Sequence, residues 1–93
     1  MSIVVRYPAD NLTKEKYDAT NQKLEEAGVD WPPDGMVMHV AFGDDGDLKV
    51  SEIWDSREQW QAFGEKLMPV LNEAGIEFSG EPQVFEAHNL ETR

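Results

Sequence analysis

Residues 36–55 read MVMHVAFGDDGDLKVSEIWD, and this stretch decides the fold because it predicts a single β-hairpin. Two runs of alternating apolar side chains flank an Asp-Gly pair, a dipeptide that favours a tight hairpin turn. These are the longest apolar runs of the chain, so we expect them to form the middle of a sheet. The stretch also contains His39, one of two histidines, and Trp54. We therefore expect a functional site to involve this hairpin.

The length of the turn determines which side chains share a face of the hairpin, since a slip of one residue moves every side chain across the sheet. A two-residue type I′ turn at Asp45-Gly46 places His39 opposite Glu52, whereas a three-residue loop over 44–46 places His39 opposite Ser51. The second register inserts Glu52 among the methionines, which costs desolvation free energy without an evident partner. We therefore favour the first register.

The favoured register divides the hairpin side chains into two sets. One face is mainly apolar and carries Met36, Met38, Val40, Phe42 and Ile53, with Ser51 and Lys49 as its polar members. The other face carries Val37, His39, Ala41, Val50, Glu52 and Trp54. We expect His39, Glu52 and Trp54 to form one cluster on this second face.

Four further elements are predicted on either side of the hairpin. A strand covers residues 2–7, and a helix covers residues 14–27 with Thr13 as its N-cap and Gly28 at its C-terminal end. A second helix begins after Ser56, has a kink or break at Pro69 and ends at Gly75. A last strand covers residues 84–88.

The order strand, helix, strand, strand, helix, strand predicts an α+β fold of the ferredoxin-like β-α-β-β-α-β kind. Its four-stranded antiparallel sheet has both helices on one face, and residues 1–93 form one domain. No segment remains to cover the opposite face of the sheet. We expect a second copy of the chain to cover it, which makes the protein a homodimer.

The pattern EIWDSREQWQAF over residues 52–63 resembles the dimeric α/β-barrel superfamily. The chain is most similar to its antibiotic-biosynthesis-monooxygenase-like (ABM-like) branch, particularly to small actinobacterial-type members of unknown function. The superfamily includes cofactor-free monooxygenases, haem-degrading enzymes, isomerases and decarboxylases of small molecules, and proteins with no known activity. The resemblance implies a dimeric α/β barrel.

The same resemblance excludes haem degradation. Those enzymes carry a Trp on the second helix, an iron-ligating His about ten residues later and an Asn on the first strand. The matching positions here hold Phe63 and Glu73, and the first strand contains no Asn. The acidic residues of the hairpin turn lack the twelve-residue spacing of a calcium loop, and two distant histidines do not make a zinc site. We expect neither a cofactor nor a metal.

Composition limits the classes of binding partner and the cellular compartment that we expect. The net charge of −11, from 19 acidic and 8 basic residues, disfavours nucleic acid and anionic membranes, because both require clustered Lys and Arg. The sequence contains neither an apolar run of membrane-spanning length nor a basic, apolar leader stretch, so we expect a cytoplasmic protein. The absence of cysteine excludes disulfides and thiol chemistry.

His39 and Glu52 are the candidate catalytic residues, since a carboxylate beside an imidazole orients it as a general base. Trp54 is expected to stack on a planar ligand, Met38 and Phe63 to shape the pocket, and Tyr7 and Trp31 to border it. The other interpretation is structural: His39 and Glu52 form an ordinary cross-strand pair and Trp54 belongs to the core.

Two functions remain open at this point. The first is a small ABM-like enzyme, a cofactor-independent monooxygenase or a related enzyme, that acts on a small hydrophobic or aromatic molecule. The second is a non-catalytic dimeric module that binds a small ligand or only assembles.

Overall fold

A computed structural model describes residues 2–93 and contains two helices and six strands. The strands are β1 (Ile3–Tyr7), β2 (Ala9–Asp10), β3 (Met36–Phe42), β4 (Lys49–Trp54), β5 (Glu77–Phe78) and β6 (Gln83–Glu86). The helices are α1 (Lys14–Glu26) and α2 (Arg57–Ala74). Neither helix is long and apolar enough to cross a membrane, within residues 2–93.

The main sheet has four antiparallel strands in the order β3-β4-β1-β6. The hairpin strand β4 pairs with the first strand, and β1 also pairs with the last strand, so β1 and β4 are central. The expectation that both hairpin strands lie in the middle is wrong for β3, which is an edge strand. This arrangement is the predicted ferredoxin-like fold, which is thereby confirmed. The sequence did not predict the small second sheet formed by β2 and β5. The last strand ends at Glu86, so His88 lies beyond it and is exposed.

The hairpin has the predicted register but a different turn. His39 pairs with Glu52, as favoured over pairing with Ser51. The type I′ prediction is wrong, since that turn needs positive φ at both central residues. Gly46 has φ 89°, whereas Asp45 does not have positive φ. The strands also end earlier, and Asp47 N donates to Asp44 O over 2.9 Å within a loop of six residues.

A β-bulge in β3 changes the predicted division between the two faces. Met36 pairs with Trp54 and Met38 pairs with Ile53, so two steps on β3 match one step on β4. Met36 therefore lies on the face of Trp54 and packs against the core, contrary to the prediction. Val37 is the bulged residue and is exposed.

Both helices begin and end as the sequence predicts. The side chains of Thr13 and Ser56 accept hydrogen bonds from the backbone N–H groups of Lys16 and Gln59. Gly75 ends α2 with φ 72°. Of the two alternatives expected at Pro69, a kink or a break, the break is wrong, because α2 runs through the proline. Three core side chains next to the proline hold this turn against the sheet: Leu67, Val70 and Leu71.

The core lies between the helices and one face of the main sheet. Its buried members are Ile3, Val5, Leu24, Trp54, Phe63, Leu67, Val70 and Leu71. The opposite face, which we call the outer face, carries apolar side chains that are between 38% and 53% exposed: Met38, Val40, Phe42 and Phe85. Within residues 2–93 neither helix covers this face.

Candidate functional site

A histidine-carboxylate pair lies on the sheet face that the helices cover. Because β3 and β4 place His39 directly opposite Glu52, the Nδ1 atom of His39 is 2.7 Å from the Oε2 atom of Glu52. Glu52 is only 2% exposed, which is unusual for a carboxylate. A buried charge of this kind is stable only when its oxygens are hydrogen-bonded.

The second oxygen of Glu52 has two further partners. Its Oε1 atom accepts a hydrogen bond from the hydroxyl of Tyr7 over 3.1 Å and one from the indole N–H of Trp54 over 3.0 Å. The indole N–H of Trp60 in turn donates to the Tyr7 hydroxyl over 2.8 Å. Every buried side-chain nitrogen and oxygen of residues 2–93 has a partner. The network therefore fixes the position of Glu52 and, through it, the ring of His39.

Tyr7 acts in this network as a donor. Burial raises the pKa of its phenol well above the ordinary value, and the negative charge of Glu52 raises it further. The hydrogen bond from Trp60 opposes this shift, and the bond to Glu52 adds to it. Tyr7 therefore stays protonated at neutral pH and keeps donating to the carboxylate.

The other nitrogen of His39 faces Tyr17, a residue of α1. The Tyr17 hydroxyl is 2.7 Å from Nε2 of His39, and the two rings are stacked with centroids 5.9 Å apart. In a neutral imidazole one nitrogen donates and the other accepts. Since Glu52 has only acceptor oxygens when ionised, Nδ1 carries the proton of neutral His39. Nε2 then holds a lone pair and accepts from Tyr17.

A cavity of about 60 Å³ adjoins this pair, between the sheet and the two helices. Most of its lining is aliphatic or aromatic. Its polar lining residues are Tyr7, Tyr17, Thr20, Asn21, His39 and Glu52. The Thr20 hydroxyl is already bonded to the backbone oxygen of Lys16 over 2.8 Å. The basic nitrogen of His39 thus lies in mainly apolar surroundings.

Trp31 closes one side of the cavity. It belongs to the segment between α1 and β3, is 46% exposed and lines the cavity. Its ring meets the ring of His39 edge-on, with centroids 5.0 Å apart and an interplanar angle of 79°. It also lies 6.2 Å from the ring of Phe63, between centroids. Trp31 therefore covers the imidazole from the solvent side.

The structure brings five of the seven sequence-predicted site residues to the cavity wall: Tyr7, Trp31, His39, Glu52 and Phe63. Their roles stay predictions. Trp54 does not line the cavity; it is fully buried and donates to Glu52, so it holds the carboxylate in place instead of facing a ligand. Met38 does not line it either, because its strand position points it to the outer face.

The helical spacing of the sequence places two residues of the site, Tyr17 and Trp60, only on the inward apolar stripes of the two helices. Tyr17 lies on the inward side of α1 and Trp60 on the inward side of α2. Buried tyrosine and tryptophan side chains require a partner for their polar tips. That requirement was the signal that could have placed Tyr17 and Trp60 at the site, since both stripes face a sheet that carries a buried carboxylate.

The part of the chain that the structure describes contains no group of three or more His, Cys, Asp or Glu side chains placed to bind a metal ion. The three aspartates of the hairpin loop do not form such a group. One of them, Asp45, instead accepts a hydrogen bond from the backbone N–H of Lys14 over 2.9 Å.

Comparisons with known proteins locate the fold. No protein-family model matches the chain, and neither does a curated protein. Solved structures do match over nearly its full length. A candidate antibiotic biosynthesis monooxygenase from Chloroflexus aurantiacus J-10-fl is 19% identical with a TM-score of 0.59, and the match covers 98% of this chain and 95% of that chain.

Two further structures agree with this match. A candidate antibiotic biosynthesis monooxygenase from Deinococcus radiodurans is 17% identical with a TM-score of 0.60, covering 100% of this chain and 98% of that chain. SnoaB, a cofactor-independent oxygenase from Streptomyces nogalater, is 13% identical with a TM-score of 0.59, covering 96% and 93%. The chain therefore has the fold of the ABM-like proteins. A place among actinobacterial-type members stays a prediction.

Proposed function

We propose that the protein is an ABM-like, cofactor-independent monooxygenase that acts on a small aromatic molecule with an acidic hydroxyl group. The observation that carries this proposal is the position of His39. Its Nδ1 is fixed by a buried carboxylate, and its Nε2 is presented to a mainly apolar cavity. The relation in fold to SnoaB supports the reaction type.

The first step of the proposed reaction is a proton transfer. The ligand hydroxyl takes the place of the Tyr17 hydroxyl at Nε2, and His39 removes its proton as a general base. The resulting imidazolium is stabilised by Glu52, which already accepts from Nδ1. The apolar lining keeps water away from both charges, which strengthens their interaction.

The second step uses dioxygen and requires an electron-rich substrate anion. A ring carbon of the anion forms a C–O bond with O₂, giving a hydroperoxide after proton uptake. The C–H bond at the same ring carbon and the O–O bond then break, which releases water from this hydroperoxide and leaves a ring carbonyl. One oxygen atom enters the product, the other leaves as water, and the substrate is the reductant. In this scheme the chain supplies only a base and a dry cavity.

We also propose that the working form is a homodimer. The outer face exposes Met38, Val40, Phe42 and Phe85 on strands of one sheet. Contiguous apolar surface of this kind is characteristic of protein interfaces. A second copy of the chain, packing its own outer face here, buries both surfaces and leaves both cavities facing their own helices.

A non-catalytic binding module is the second candidate, and one observation favours it. All oxygens of Glu52 are already bonded within the chain, and the Nε2 atom of His39 is paired with Tyr17. A closed network of this kind also fits a structural pair beside a ligand cavity.

The histidines provide a matched test. Air-saturated protein is incubated with a panel of substituted phenols and hydroquinones, and oxygen uptake is followed with an electrode. We expect His39→Ala to lower the rate at least 100-fold, the lower range for loss of a general base. His88→Ala, at the exposed second histidine, should keep the wild-type rate.

Two outcomes contradict the enzyme proposal. One is oxygen uptake that is equal in the wild type and in His39→Ala. The other is a wild type that binds the phenols, as seen by ligand-detected NMR, without consuming oxygen. The second outcome identifies the binding module.

A further inference from the structure

The polar groups that the cavity offers to a ligand are very few. Glu52 has three donors on its two oxygens, and the Thr20 hydroxyl is bonded to the backbone. Asn21 is exposed at the edge. The Tyr7 hydroxyl donates to Glu52 and accepts from Trp60. Apart from the indole N–H of Trp31, what remains in the lining is the pair of Nε2 of His39 and the Tyr17 hydroxyl, 2.7 Å apart. A ligand group that inserts between them must donate to the nitrogen and accept from the hydroxyl.

A hydroxyl group meets both requirements, because it has one donor hydrogen and two lone pairs. An ether or ketone oxygen can only accept, so it leaves the lone pair of Nε2 without a donor. An unpaired buried acceptor carries a large free-energy cost. The hydrogen-bonding pattern of the cavity thus selects for a donor at the polar end of the ligand.

Charge adds a second restriction. Of the residues that the structure describes, none that lines the cavity is a lysine or arginine, and Glu52 is the lining carboxylate. The chain as a whole has a net charge of −11. A ligand carboxylate therefore enters a negative field and finds no cationic side chain, unless His39 takes up a proton. An uncharged hydroxyl compound avoids this repulsion.

Trp31 is the lining side chain that can move to admit the aromatic ring of a ligand. Cavities of about 150 Å³ bind benzene, so the cavity of about 60 Å³ is too small until a wall moves. Phe63, Leu24 and Leu67 are packed in the core. The Trp31 segment is held at its two ends, where Val29 N donates to Leu24 O over 3.0 Å and Met36 N donates to Pro33 O over 3.1 Å.

We propose that the cavity binds uncharged aromatic molecules through a ring hydroxyl and rejects carboxylates, with Trp31 closing over the bound ring as the specificity-determining side chain. The ring of the ligand then meets His39 where the indole edge of Trp31 now lies. This inference rests on the proposed function in one respect, the role of Nε2 as the acceptor of the cavity. It requires no reaction with oxygen.

Three one-ring probes of similar size test the inference by ligand-detected NMR titration at about pH 8. Phenol is uncharged and donates, anisole lacks the donor, and benzoate is an anion. We expect the wild type to bind phenol at least tenfold more tightly than either of the others. Trp31→Ala should weaken phenol binding at least fivefold, whereas Trp31→Phe, which keeps a ring, should stay within about twofold of the wild type.

Glu52→Gln tests charge and hydrogen bonding together, because its amide N–H₂ can donate to Nδ1 of His39 and leave the proton of the neutral ring on Nε2. It removes the negative charge and keeps the side-chain volume, so benzoate should gain at least tenfold relative to phenol. Anisole or benzoate binding as tightly as phenol overturns the inference, as does Trp31→Ala binding phenol like the wild type. Failure of all three probes to bind also overturns it. Selective phenol binding upholds the inference even when no member of the panel of substituted phenols and hydroquinones consumes oxygen, the outcome that contradicts the proposed monooxygenase.

Discussion

The two faces of the main sheet differ in polarity, and each carries side chains that its surroundings disfavour. The face covered by the helices holds a buried carboxylate, an imidazole and a phenol, whereas the outer face exposes methionine, valine and phenylalanine. Buried polar groups and exposed apolar patches are the informative exceptions to ordinary burial. We therefore assign the proposed chemistry to the covered face and the proposed partner to the outer face.

The largest expected effect is on the covered face, at Glu52. Replacing Glu52 with alanine leaves the donors of Tyr7, Trp54 and His39 without their shared acceptor. We expect the free energy of unfolding to fall by about 3–5 kcal/mol, measured by urea denaturation. Glu86→Ala, at an exposed carboxylate on β6, should change it by less than about 0.5 kcal/mol. Equal effects of the two variants would show that the buried network around Glu52 does not stabilise the fold.

A charge on the outer face should act on assembly instead. By light scattering we expect the wild type to have twice the 10.6 kDa mass of one chain. Val40→Asp places a carboxylate between Met38 and Phe42 on the outer face of β3. It should raise the dimer dissociation constant at least about 100-fold, because a buried unpaired charge is costly.

Glu73→Lys is the control for this variant, since it changes an exposed charge on α2 and should leave the mass unchanged. A wild type that is monomeric at micromolar concentration contradicts the proposed dimer. The same result would leave the fold and the cavity untouched.

A smaller effect on the covered face is the pH dependence of stability that Tyr7 causes. The pKa of Tyr7 is higher in the folded chain than its ordinary value of 10.0, so the protonated phenol stabilises the fold fully below about pH 10. Above that pH the unfolded chain loses this proton first, and the contribution is lost as the pH rises toward the folded-state pKa. The free energy of unfolding should then fall by about 1.4 kcal/mol per pH unit.

Tyr7→Phe should lack this part of the alkaline loss of stability. Urea denaturation at several values between about pH 9 and about pH 11.5 measures the difference in slope. Phe63→Leu, a buried change without a titrating group, should keep the wild-type slope. Parallel slopes for the wild type and Tyr7→Phe would show that Tyr7 is not held protonated by the network.

The sequence was sufficient for the fold and for the central pair, and the physical reason is periodicity. Side chains of a strand alternate, so the cost of burying Glu52 among methionines selected one register, and that register places His39 beside Glu52. Helix ends were equally accessible, because capping by Thr13 and Ser56 is a local hydrogen bond.

The wrong predictions have a common cause. They depend on contacts that the spacing of residues along the sequence does not reveal. The bulge in β3 reassigned Met36, and the turn centred on Asp45-Gly46 is not of type I′, because Asp45 lacks positive φ. Trp54 was expected to face a ligand, but its indole N–H is directed to Glu52. The bond from Tyr17 to His39 joins a helix to a strand 22 residues away, and no local pattern indicates such a partner.

The loop that closes the hairpin also aligns the helix opposite it. Leu48 N donates to Leu12 O over 3.0 Å, and the carboxylate of Asp45 binds the first backbone N–H of α1. Leu48 and Leu12 are buried together, with Tyr17 packed against them. The hairpin thus carries His39 on its strand and sets the starting point of the helix that carries Tyr17. The same loop therefore positions both ends of the 2.7 Å bond between His39 and Tyr17.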